Sequence, residues 1–159
     1  MKKTAKDAKE FGLNVDKWAK KFNVATEQLV TAIALRAFEN IVRRTPVGDP
    51  DLWQSSAPKG YVGGTARNNW FLSIGQRDTT EKNAKPDSGG NEAFASLTAL
   101  AGGRDPKAVI WLNNNLPYIR RLEYGWSTQA PAGMVRVTLA EIQAFYKQDV
   151  EKVKAANGL

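Results

Sequence analysis

An α+β fold is predicted, with two long helices packed on a small, mainly antiparallel sheet, short corner helices and a long Pro/Gly loop. Three observations predict it. Apolar residues recur at helical spacing over residues 24–44 and again over about 134–156. Two short segments, 69–75 and 107–113, alternate from one face to the other as strands do. The stretch 46–67 holds three Pro and four Gly and keeps no period, so it reads as a loop. A chain of 159 residues is expected to form one domain, residues 14–156, behind a basic flexible arm at 1–13.

The elements follow in order. Residues 1–21 carry seven Lys against Asp7, Glu10 and Asp16, a net of +4. Asn14 suits an N-cap for a short helix at 15–22, with Val15, Trp18, Ala19 and Phe22 on one face. Trp18 and Phe22 are expected to dock onto the main body. In the long helix 24–44, Leu29, Ile33, Ala37 and Ile41 recur every fourth residue, flanked by Val30, Ala34, Phe38 and Val42. Arg43 and Arg44 suit its C-terminal dipole, and Thr45-Pro46 ends it because the residue before Pro is driven out of the α region. Within the loop, Trp53 and Tyr61 either pin it to its own body or sit at a subunit contact.

In the first strand Trp70, Leu72 and Ile74 face one way and Phe71 and Ser73 the other. Residues 91–101 predict a short helix with Phe94, Leu97 and Leu100 inward, stopped by Gly102-Gly103. After the second strand, Asn113-Asn114-Asn115 suits a corner. Pro117 opens a short helix, where its missing N–H costs nothing. Tyr118 pairs with Leu122 and Arg120 with Tyr124 at i,i+4, and Gly125 is the stop. The last helix is expected to bury Val135, Leu139, Ile142, Tyr146, Val150 and Val153.

Composition narrows the chemistry. Apolar residues at 42% and charged residues at 25% are ordinary for a globular protein. No apolar run reaches the roughly 18 residues of a membrane helix, and no apolar segment follows the basic N-terminus as in a secretion signal. Cys is absent, which excludes thiolate chemistry and disulfides. His is absent too, which removes the commonest general base and transition-metal ligand. No phosphate-binding Gly-rich loop and no nucleophile–base pair occurs. Asp49 and Asp51 suit turn capping better than a metal, and Glu123 beside Arg120 and Arg121 suits an ion pair. No enzyme, cofactor or metal site is therefore expected. The net charge of +7 fits an anionic partner or plain solubility. Arg120, Arg121, Tyr118, Tyr124 and Trp126 mix guanidinium and aromatic groups as single-strand binders do, though no sequence-reading motif accompanies them.

Six short motifs carry a family resemblance over roughly residues 25–150. They are Thr45-Pro46-Val47, the glycines at 60–64, Asn68-Asn69-Trp70, Pro117-Tyr118, Leu122-Glu123-Tyr124-Gly125 and Ala130-Pro131-Ala132-Gly133-Met134. In this order they resemble the neck and tail-completion proteins of long-tailed bacteriophages, the minor tail protein Z-like, head-tail joining family. Where many relatives have a short Asp-Thr-Gly turn after Thr-Pro-Val, this chain has a longer insertion at 48–64.

The resemblance implies a structural virion protein at the head-tail junction, which completes the tail and joins it to the DNA-filled head. It implies a homo-oligomeric ring, of six copies by family analogy, around a channel that passes double-stranded DNA. The implied neighbours are the head-completion (stopper) protein, the tail terminator and the tail tube, with assembly in the host cytoplasm and no membrane. Subunit or partner contacts are then expected at Trp53, Tyr61, Pro117, Tyr118, Arg120, Arg121, Glu123, Tyr124, Trp126, Pro131 and Met134. Arg43, Arg44, Arg120 and Arg121 are the candidates for charge facing the lumen or the DNA. The alternatives are a tail-terminator ring that stops tube growth and a general nucleic-acid-binding protein, which would bind with a steep salt dependence.

Overall fold

A computed structural model describes residues 5–52, 56–100, 105 and 107–159, with side chains from residue 10 onward. The fold is α+β: five helices and a two-stranded antiparallel sheet among the described residues. Helix α1 is Ala5–Arg44. A single 3-10 turn, Pro50–Leu52, and the one-turn helix α2, Thr65–Asn68, interrupt the expected loop. Strand β1 is Phe71–Ile74. Helix α3, Asn91–Ala95, runs into a 3-10 turn at Ser96–Leu100, tightened by Ser96 Oγ donating to the Ala93 carbonyl at 2.6 Å. Strand β2 is Ile110–Asn113, α4 is Ile119–Glu123 and α5 is Val135–Asn157.

The chain divides into two compact units. One combines α1 up to Ile33 with α5 from Ala144 onward; the other is Ala34–Gln143. In the first, Asn157 Nδ2 donates to Gln28 Oε1 at 2.8 Å, so the end of α5 lies alongside α1 there. Ala25 is buried, whereas Trp18 and Phe22 stack on one another with ring centroids 5.4 Å apart and stay 58% and 49% exposed. They do not dock as expected. Nor does the chain break into an arm and two helices. Asn14 lies inside α1, and Thr26 Oγ1 donates back to the Phe22 carbonyl instead of capping a new helix. No Pro interrupts the chain between Ala5 and Arg44, and continuing a helix costs far less than starting one.

The second unit holds the core. Phe38, Ile41 and Val42 from α1 meet Trp70 and Leu72, Ala93 of α3, and Ala130 and Met134 before α5. Phe94, Leu97 and Leu100 turn inward onto this cluster as their spacing predicts. The sheet pairs Leu72 with Leu112 and Ile74 with Ile110. Its other face is also covered, because Phe71 is buried with Lys82 Nζ 4.4 Å above its ring. Both strands are shorter than expected. Asn69 spends its side chain on Ala84, accepting from its N–H at 3.1 Å and donating to its carbonyl at 3.2 Å, and Asp105 forms a turn with Ala108.

Helix α5 follows its expected apolar stripe only in part: Val135, Ile142, Val150 and Val153 are half-buried. Thr138 is buried, while Leu139 and Tyr146 are exposed. Arg44 decides this: it donates to Thr138 Oγ1 at 3.3 Å and pairs with Glu141 at 2.5 Å, and Asn40 also donates to Glu141. A partly buried guanidinium must keep its hydrogen-bond partners, so those polar residues face α1. Helix α1 ends at Arg44 as expected, and Arg67 closes it by donating to the Thr45 and Arg43 carbonyls.

Candidate interaction surface

The residues that carry the family resemblance are assembled in the Ala34–Gln143 unit. Helix α4 ends in a Schellman arrangement: Gly125 N–H donates to the Leu122 carbonyl and Trp126 N–H to the Arg121 carbonyl. Gly125 takes φ +84°, and a Cβ there would sit 2.7 Å from the Pro131 carbonyl oxygen. The Ala130–Met134 loop therefore packs directly on the Leu-Glu-Tyr-Gly turn.

Glu123 fastens the two together. Its carboxylate accepts from the backbone N–H groups of Met134 (2.8 Å), Val135 (2.9 Å) and Arg136 (3.0 Å). These donors open α5 and have no partner inside the helix, so Glu123 acts as a cap supplied from another element and complements the helix dipole. Arg136 closes the joint from outside, with Nε 3.3 Å from Glu123 Oε1 and Nη2 donating to the Glu123 carbonyl at 2.6 Å. Burial pushes the Glu123 carboxyl up, but the amides of Val135, Arg136 and Met134 and the Arg136 side chain outweigh it, and it rests below the usual carboxylate range.

A groove of about 500 Å³ runs beside this joint, lined among others by Val47, Leu52, Tyr61, Tyr118, Leu122 and Trp126. Gln129 fixes one wall by accepting from the Val47 N–H at 3.2 Å and donating to its carbonyl at 2.8 Å. Trp126 is 73% exposed on the rim, with the Arg121 guanidinium 4.9 Å over its ring. Burial, and then Tyr61 and Glu81, push the Tyr118 phenol up. An open, aromatic-rimmed groove with one stacked Arg has the make-up of a protein contact, where Tyr, Trp and Arg act as anchors.

The expected site residues divide accordingly. Tyr61, Tyr118 and Trp126 line the groove, while Pro117, Arg120, Arg121, Tyr124 and Pro131 are exposed. Met134 is fully buried in the core and offers no surface to a neighbour, which corrects its expected place at a contact. Glu123 pairs with Arg136 rather than Arg120 or Arg121, and Tyr124 lies under Arg136 at 5.1 Å rather than Arg120. Trp53 lies outside the described residues. Arg43 pairs with Glu39 and stacks over Phe94, and Arg44 is held by Glu141, so both already have partners within the chain. Asp49 caps the 3-10 turn by accepting from the Asp51 N–H at 3.1 Å. Among the described residues no group of three or more carboxylates, His or Cys could hold a metal ion.

Sequence reasoning missed the capping role of Glu123 and the closure of α1 by Arg67. Neither partner lies at a spacing that marks a local motif. Compared with protein-family models, curated proteins and solved structures, the chain matches none.

Proposed function

We propose that this chain is a structural component of the neck of a long-tailed bacteriophage, completing the tail and joining it to the DNA-filled head. It acts as a ring of copies, six by family analogy, around the channel for double-stranded DNA. Its neighbours are the head-completion (stopper) protein, the tail terminator and the tail tube, and its role is architectural rather than catalytic. The observation that carries this reading is the order of motifs from Thr45-Pro46-Val47 to Ala130–Met134, which resembles that family. Two features of the fold support it. The C-terminal motifs meet in one joint at Glu123, so they have a shared reason to occur together. Next to that joint, Tyr118 and Trp126 rim an open groove suited to a neighbouring subunit.

Electron microscopy of particles from a phage in which the gene is disrupted tests the reading. Packaged heads beside separate tails of normal length are the expected result. Overlong tails would transfer the assignment to the tail terminator, and normal joined virions would overturn both. The surface has its own test. Replacing Arg120 and Arg121 together by Glu is expected to abolish joining while shifting stability by no more than about 1 kcal/mol, since both are exposed and only Arg121 stacks on Trp126. Infectious particles at normal yield would remove this surface from the assignment.

A further inference from the structure

In the unit that combines α1 up to Ile33 with α5 from Ala144, one apolar seam is only partly covered. Phe11, Val15, Trp18, Phe22, Ala25 and Leu29 follow one another at steps of 4, 3, 4, 3 and 4 along α1. That is the 3.5-residue repeat by which helices wind around each other. The end of α5 lies at Gln28 and reaches Lys21, where Gly158 approaches the ammonium. Ala25 is buried, but Phe11, Val15, Trp18 and Phe22, nearer the N-terminus, are largely exposed. An aromatic side chain presents roughly 150–250 Å², so the three rings leave on the order of 300–400 Å² of apolar surface bare.

We infer that this seam is closed by the same stretch of α1 from a second copy of the chain. The charge pattern selects that occupant. The positions flanking the seam are Gly12, Asn14, Ala19, Lys21, Thr26 and Gln28, and only Lys21 is charged. Glu10, Asp16, Lys17, Lys20 and Glu27 all fall on the outer positions of the repeat. A like copy can therefore approach a seam with almost no charge beside it, although the chain as a whole is +7. An anionic lipid surface is a poorer match, because residues 10–29 carry Glu10, Asp16 and Glu27 against Lys17, Lys20 and Lys21 and so present no net positive charge. The bare area is about half of the roughly 800 Å² per partner in a stable complex, so the contact is weak and reversible in free solution. The inference does not depend on the neck reading, which particle morphology tests separately.

Sedimentation equilibrium of the full chain, from about 5 µM to about 500 µM, tests it. The mass of the unaltered chain is expected to rise above 17.5 kDa with concentration. Trp18→Glu is expected to weaken association by roughly thirtyfold or more, while Leu13→Glu, exposed on the opposite side of α1, associates like the unaltered chain. Circular dichroism verifies that each variant keeps its helix, and Phe11→Glu replaces Trp18→Glu if that helix is lost. A chain that stays monomeric throughout overturns the inference. So does undiminished association of the seam variants, which would place the contact elsewhere. A monomer that sediments with phosphatidylcholine–phosphatidylglycerol vesicles overturns it in favour of a lipid surface.

Discussion

Replacing Glu123 with Gln is expected to lower the melting temperature by about 4–8 °C, through loss of about 2 kcal/mol. The unaltered carboxylate shares two oxygens among the N–H groups of Met134, Val135 and Arg136 at 2.8–3.0 Å. Gln keeps one acceptor and no charge, so α5 retains part of its cap and loses the favourable interaction with its dipole. Gly133→Ala attacks the same joint. At φ +85° an added Cβ would collide with the Glu123 carbonyl oxygen and sit 2.7 Å from Glu123 Oε1. The two substitutions together are expected to cost less than the sum of each alone, because the second finds the joint already opened.

The effect depends on pH with a definite sign. Glu123 has a folded-state pKa below the usual value, whereas the unfolded chain titrates near about 4.3. Its contribution is therefore fully present above that value and fades as the pH falls through the lower folded value. Melts of the unaltered chain and of Glu123→Gln are expected to differ by a constant amount above about pH 5 and to converge in stronger acid. A difference that grows with acidity would overturn the assignment of Glu123 as an ionised cap.

Trp70→Ala is expected to cost about 4 kcal/mol, or about 8–16 °C in melting temperature. Trp70 is buried in the core with Phe38, Ile41 and Val42, and its indole Nε1 donates to Thr45 Oγ1 at 2.8 Å. Thr45 is itself fully buried and donates its hydroxyl to the Ile41 carbonyl at 2.7 Å. The indole thus ties β1 to the last turn of α1 by packing and by a relay of two hydrogen bonds. Truncation leaves a cavity and a buried hydroxyl with one partner fewer. Trp70→Phe keeps most of the ring and isolates the hydrogen bond, at about 1–2 kcal/mol. Denaturant unfolding of both variants measures the two parts. A cost for the Phe variant as large as that for Ala would assign nearly all of the effect to the bond.

Much of the fold was legible in short-range patterns. The apolar period marked the helices, Thr45-Pro46 the end of α1, and Gly125 the stop of α4. Alternation located the paired segments and the inward face of Trp70 and Leu72. The candidate surface was only partly legible. Tyr118 and Trp126 flank the groove as aromatic residues near element ends often do, but Met134 looked no different in sequence and is core.

The amino-acid sequence by itself determined the α+β class, the order of the elements from β1 to α5, and the exclusion of thiol and imidazole chemistry. Only the tertiary structure decided that α1 runs unbroken from Ala5 to Arg44, that α5 turns Thr138 rather than Leu139 inward, and that Glu123 caps α5. The physical reason is range. Helical period, turn residues and capping preference act over a few positions and can be read along the chain. Arg44 with Glu141 and Trp70 with Thr45 are partners brought together by packing, and no local pattern specifies which buried polar group will find which.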